Sequence, residues 1–191
     1  MTGPVTPRPH VLGVDDAPFT KAQPGPVPIV AVLMEGPDLV EGVAIGAFPV
    51  DGDDATRYLA EWIGGLRIFP GVQAIMLGGI TIAGLGIVDL DALAERLARP
   101  VLAVTRHDPS GSDLREALRA AGLAGRLDLL ARSPPAVRAA EGLFVACAGL
   151  APAQAEQLVR AMLRKSRLPE PLRLAHLIAR ALVTGESRGR V

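Results

Sequence analysis

The stretch "VPIVAVLMEGPDLVEGVAIGAFPV", residues 27–50, decides the fold. It holds two β-rich apolar runs, 27–35 and 39–50, separated by Gly36-Pro37-Asp38. Three turn formers in a row between such runs predict a hairpin. Just upstream, an apolar run over 8–15 ends on Asp15 and Asp16, and Pro18 stops regular pairing beyond them. Three strands with only short connections read as an antiparallel meander.

Beyond residue 50 the chain changes character. Residues 53–66, "DDATRYLAEWIGGL", carry Tyr58, Leu59, Trp62, Ile63 and Leu66 at helical spacing, with Asp53 or Asp54 as a natural cap. Residues 72–80 and 101–107 read as buried strands, and 142–150 as another. Helices are predicted over 88–100, stopped by Pro100, and over 112–122, capped by Ser112 and stopped by Gly122. Two more are predicted over 151–166 and 169–185. Three meander strands followed by α/β crossovers give the ribonuclease H-like order. The expected fold is α/β: one domain over 1–191, with a mixed sheet of five strands or slightly more and helices on both faces.

Composition bounds the chemistry. The chain has 191 residues, 49% hydrophobic but only 3% aromatic, so Ala, Val, Leu and Ile must build the core. A net charge of +0 excludes a global field that recruits polyanions. The single cysteine, Cys147, excludes an intrachain disulfide and reads as a small core residue in "LFVACAGL". The start "MTGPVTPRPH" has no apolar stretch of a signal peptide, and no run is long enough to span a membrane, which predicts a cytoplasmic protein. Charge is uneven: residues 1–60 carry three basic against eight acidic residues, and residues 157–191 carry eight basic against two acidic. Either the two parts pair, or one serves a metal and the other phosphate.

Adjacent Asp15 and Asp16 repel one another and need either a turn that caps them or a positive partner. The predicted topology sharpens that choice. With right-handed crossovers, strands 1, 3 and 4 end at one rim. Asp15-Asp16, Asp51-Gly52-Asp53-Asp54 and Gly78-Gly79 thus come together. Clustered Asp oxygens suit Mg²⁺, and two such ions can drive phosphodiester cleavage. "VDGDDAT" lacks the spacing of an EF-hand, and zinc is excluded because Cys147 is alone and His10, His107 and His176 are scattered. The glycine-rich "GGITIAGLG" (78–86), with Gly78, Gly79, Thr81 and Gly84, permits close approach of a sugar-phosphate chain or base, or makes a tight corner. His176 lies among Leu172, Ala175 and Ala179, as a core histidine or a catalytic one. Arg173 on that helix, and Ser187, Arg188 and Arg190 after it, suit phosphate contacts or a solvated end.

"GVDDAPF" (13–19), "VDGDDAT" (50–56), "GITIAGLGIVD" (79–89) and "PEPLRLAHLIARALVTGESRGR" (169–190) together resemble the archaeal deoxyuridine endonuclease family, which is similar to endonuclease V. The resemblance implies a ribonuclease H-like fold, Mg²⁺ or Mn²⁺, and nicking of DNA near a deaminated base. It makes Asp15 and Asp51 the catalytic candidates. Asp15 matches the aspartate ending strand 1 of endonuclease V, and Asp51 stands where that family has a glutamate. Near Gly78 the third carboxylate of endonuclease V is missing, which brings in Asp16, Asp53, Asp54 and Asp89 as further metal ligands. One, two or no ions remain open. So do two other functions: a non-catalytic nucleic-acid-binding protein, and a small-nucleotide phosphohydrolase.

Overall fold

The computed structural model describes residues 8–21, 25–106 and 113–188. Strands β1 (His10–Asp16), β2 (Val27–Glu35) and β3 (Leu39–Phe48) form the expected meander. β1 pairs antiparallel with β2, and β2 antiparallel with β3. Next along the chain are α1 (Ala55–Gly64), β4 (Ala74–Leu77), and a small hairpin of β5 (Thr81–Ile82) and β6 (Gly86–Ile87). The chain continues through α2 (Leu90–Leu97), β7 (Val101–Thr105), α3 (Asp113–Ala120) and α4 (Leu127–Ala131). It closes with β8 (Val137–Ala140), β9 (Leu143–Ala148), α5 (Pro152–Ala161) and α6 (Glu170–Thr184).

Among the described residues the main sheet has seven strands in the order β3-β2-β1-β4-β7-β9-β8. β4 runs parallel to both β1 and β7, which is the ribonuclease H-like arrangement that the element order predicts. The sheet is wider than five strands because β9 and β8 add antiparallel beyond β7. β8, "VRAA", carries little β-propensity, so its sequence does not announce a strand. It pairs because the Glu141-Gly142 turn, with Gly142 at φ 66°, folds it back on β9.

Helices cover both faces. Opposite partners on neighbouring strands share a face, so Gly13, Val32 and Val43 point one way and Gly42 and Gly46 the other. On the first face α6 lies over β1 and β2. Gly13 makes this possible: a Cβ there would stand 2.6 Å from the Leu172 backbone nitrogen. On the second face Gly46 leaves room for Tyr58 and Trp62 of α1, whose rings stack at 5.9 Å. Leu12, Ile75, Met76, Leu90, Leu93 and Leu102 are fully buried, giving the aliphatic core that the composition requires. Cys147 is only partly buried, and its Sγ donates to the Leu150 carbonyl. No helix of the described residues is long and apolar enough to cross a membrane.

Several helices end earlier than predicted. α2 stops at Leu97, three residues before Pro100, because Ala98 adopts a left-handed cap at φ 49°. Such a conformation costs an L-residue roughly 1–2 kcal/mol. Ala98→Gly is therefore expected to stabilise the protein by about 0.5–1 kcal/mol, read as a higher denaturant midpoint at unchanged slope. α5 closes at Ala161, well short of 166. β3 ends at Phe48, so Val50 and Asp51 belong to the following turn. Ser112 lies outside the described residues.

Candidate active site

β1 ends on Asp15 and Asp16, whose side chains alternate across the sheet. Asp15 points to the α6 face. Its Oδ2 accepts from Nδ1 of His176 at 2.9 Å, and its Oδ1 accepts from the Asp16 N–H at 3.1 Å. His176 is thus no core residue. It is half-exposed, while the Asp15 side chain keeps 17% of its accessible surface. The hydrogen bond from Asp15 raises the His176 pKa above its ordinary value, against opposing effects of burial and of Arg106 and Arg180. The partner that the paired carboxylates meet is the imidazole of His176, contributed by a helix 161 residues away.

Asp16 turns the other way and accepts from the Ala83 N–H at 2.9 Å. Burial first, then the charge of Asp15, pushes its carboxyl up to about 6. The native state therefore holds this proton more tightly than the unfolded chain, so stability falls as pH rises from about 4 to about 6. His176 acts in the same sense: its contribution is present at low pH and is lost as pH rises through its elevated folded value. Asp16→Asn, which keeps the acceptor but not the charge, is expected to be more stable than the wild type above pH 6 without divalent ions. Below about pH 4 the two should converge. Thermal melting across pH 4–8 checks this, and a less stable variant at pH 8 contradicts it.

The other predicted ligands reach the same end of the molecule but face different partners. Asp51, at φ 51°, accepts from the Leu85 N–H at 2.8 Å, donates its own N–H to the Ala83 carbonyl at 2.9 Å, and pairs with Lys21 at 3.6 Å. Asp16 and Asp51 thereby clamp the β5–β6 hairpin from two sides. Asp53 pairs with Arg126, which also donates to the carbonyls of Asp51 and Leu85. Asp54 caps α1 and holds Arg57 at 2.8 Å. Asp89 caps α2 and lies 3.8 Å from Arg132. Among the described residues no three His, Cys, Asp or Glu side chains gather into a metal-binding group. Gly78 explains part of this: a Cβ there would stand 2.6 Å from Asp15 Oδ1, so no third carboxylate fits at the end of β4 with Asp15 in this position.

Gly78, Gly79 and Thr81 line a cavity of about 10 Å³ beside Asp15 and Asp16, the space of roughly one water. Gly84, at φ 99°, lies in the hairpin against Asp51 and is not among that lining. On the α6 side a much larger cleft of about 1140 Å³ opens at His176. Arg173 and Arg180 line it from α6, Ser187 and Arg188 from the segment beyond, and Arg106 and Arg167 from two other loops. Arg190 lies outside the described residues. Arg106 directly follows β7, a strand end that sequence reading placed further on, and Arg167 sits in the turn before α6. Neither arginine carries a motif that would single it out.

A sequence profile of a family described as endonuclease dU matches residues 7–183. A UPF0215 protein of Thermococcus gammatolerans is 39% identical over 193 residues, covering 98% of each chain. The crystal structure of a protein of unknown function from Archaeoglobus fulgidus is similar at a TM-score of 0.84 and 29% identity, over 93% of this chain and 100% of that one. Endonuclease V of Ciona intestinalis, solved in complex with inosine-containing DNA, has a TM-score of 0.55 at 13% identity, over 88% of this chain and 82% of its own. That last likeness is one of fold, the ribonuclease H-like one. The profile match supports a nuclease-type function.

Proposed function

This chain belongs to the endonuclease dU family, and from that premise we propose that it is a Mg²⁺- or Mn²⁺-dependent endodeoxyribonuclease nicking DNA at or near deaminated bases such as deoxyuridine. One observation carries the reading: the Asp15–His176 pair adjoins a cleft lined by five arginines. Arginine is the side chain that best matches phosphate oxygens, and five of them suit a polyanionic strand. A small nucleotide needs less: the cleft exceeds the usual volume of small-molecule pockets. The inosine-containing DNA bound by the Ciona endonuclease V supports damaged DNA as the partner of this shared fold.

The donor set fits a divalent ion of limited kind. Asp15 and His176 approach within 2.9 Å, and Asp16 is an adjacent carboxylate whose ionisation is opposed by burial and by Asp15. An ion held by one or two carboxylates, with substrate phosphate and waters completing its shell, is what Mg²⁺ commonly accepts, and an imidazole ligand suits Mn²⁺ better. Asp15 and His176 would hold it, with Asp16 beside them. Once bound, the ion would supply an acidified water and a polarised phosphoryl oxygen. The chain's own residues do the rest. Asp15 orients the attacking water, and Arg173 holds the phosphate whose P–O bond breaks. Arg188 and the other cleft arginines keep the strand in place. The hairpin beyond Gly78 and Gly79 presents backbone to the base. Asp51, Asp53, Asp54 and Asp89 set the loops around this centre.

The test is incubation with duplexes carrying deoxyuridine, hypoxanthine, an abasic site or no lesion, with Mg²⁺, Mn²⁺ or chelator. Metal-dependent nicking of the deoxyuridine duplex above the undamaged one is the expected result. Tight binding without any nicking would instead favour a non-catalytic DNA-binding protein, a reading that Gly78 in place of a third carboxylate keeps in view.

A further inference from the structure

Glu170 opens α6 and is 3% exposed, one of only two polar or charged residues buried among those described. Its Oε2 accepts twice from one guanidinium, from Arg173 Nε at 2.8 Å and Nη2 at 2.6 Å. Its Oε1 is buried with no hydrogen-bond partner among the described residues. Burying a carboxylate with a bare oxygen is costly, and an apolar residue of similar size commonly serves stability as well or better. Geometry is what the arrangement gains. Arg173 is one helical turn from His176 and lines the same cleft. Two of its five N–H donors are spent on Glu170, and Nη1 has no hydrogen-bond partner among the described residues. The other cleft arginines, Arg106, Arg167, Arg180 and Arg188, form no ion pair among the described residues. Among the described residues, Arg173 is therefore the cleft guanidinium held by an ion pair.

We infer that Glu170 is a positioning residue: it holds Arg173 in place so that the free edge of the guanidinium meets a DNA phosphate next to the Asp15–His176 pair. The cleft then divides its labour. Arg106, Arg167, Arg180 and Arg188 attract the strand through charge, and Arg173 fixes the register of one phosphate. This rests on the cleft being the DNA site but not on cleavage. Prepaid ordering of one long side chain strengthens binding severalfold without adding a contact.

The experiment measures binding only, so it stands apart from the nicking assay. A short duplex is titrated with the full chain in chelator over a range of salt. Four proteins are compared: wild type, Glu170→Gln, Arg173→Ala and the double variant. Glu170→Gln retains the Arg173 charge, so binding should weaken about fivefold while the slope of log K on log salt stays that of the wild type. Arg173→Ala should lower that slope by about 0.9. The double variant should bind no more weakly than Arg173→Ala alone, because Glu170 acts through Arg173. A structural role would lower the melting temperature but leave the two substitutions additive in affinity, and additivity overturns the inference. A changed salt slope in Glu170→Gln also overturns it. So does a wild type that does not bind DNA, which removes the cleft as a DNA site. A wild type that binds with the predicted coupling but never nicks refutes the nuclease reading and leaves Glu170 in its role.

Discussion

Asp15→Asn is expected to lower strand nicking by about 10³-fold, within the range that a positioned acid–base or ligand group contributes. The Asn side chain keeps the size and one acceptor oxygen, so the fold should persist. The substitution removes the carboxylate charge that raises the His176 pKa and that the proposed divalent ion would need. The same substitution should abolish any rise in melting temperature caused by Mn²⁺, since only ligands in the native state give such a rise. The His176 pKa should fall toward its ordinary value, because the Asp15 hydrogen bond is the largest cause of its elevation. Proton titration of the imidazole by NMR reads this directly. A variant with wild-type nicking would remove Asp15 from the chemistry.

The second large effect belongs to Gly13. An added Cβ would lie 2.6 Å from both the Leu172 nitrogen and the Pro171 Cβ, and against the Pro171 carbonyl carbon. Two of these contacts are backbone, which cannot swing aside as a side-chain end can. Gly13→Ala should therefore cost about 3 kcal/mol or more, since overpacking into backbone lies at the upper end of its usual range. The melting temperature should fall by about 10 °C. The added methyl lifts α6 from β1, the contact that brings His176 to Asp15, so nicking should fall in the fraction that still folds. Gly125→Ala, where nothing lies within 4 Å of the added Cβ, is the control and should change little. Equal melting of the two variants would mean that α6 does not seat on Gly13.

Much of the fold is legible in the sequence, and the reasons are local. The meander comes from turn chemistry at Gly36-Pro37-Asp38, and β2 occupies the predicted 27–35 span. Handedness of the crossovers then puts Asp15, Asp51 and Gly78 at one end of the sheet. The β5–β6 hairpin is not legible, because two residues per strand leave no periodicity to detect. That hairpin is what Asp51 and Asp16 hold, so the direction of their carboxylates is hidden with it. His176 looks like a core residue in sequence because Leu172, Ala175 and Ala179 do face the core. Its meaning comes from a residue 161 positions away. Glu170 looks like an ordinary acid in a helix's first turn, and only its burial separates it from one.

Under the proposed function, Asp15 and His176 would together hold a divalent ion at the edge of the arginine cleft. The most direct measurement is a crystal structure with Mn²⁺ and a deoxyuridine-containing duplex, read from the anomalous signal of the manganese. The expected peak lies at about 2.0–2.3 Å from an Asp15 oxygen and a His176 nitrogen, with a DNA phosphate completing the shell of the ion and Arg173 on that phosphate. A manganese peak away from Asp15, or DNA bound on a face other than the arginine cleft, would contradict it.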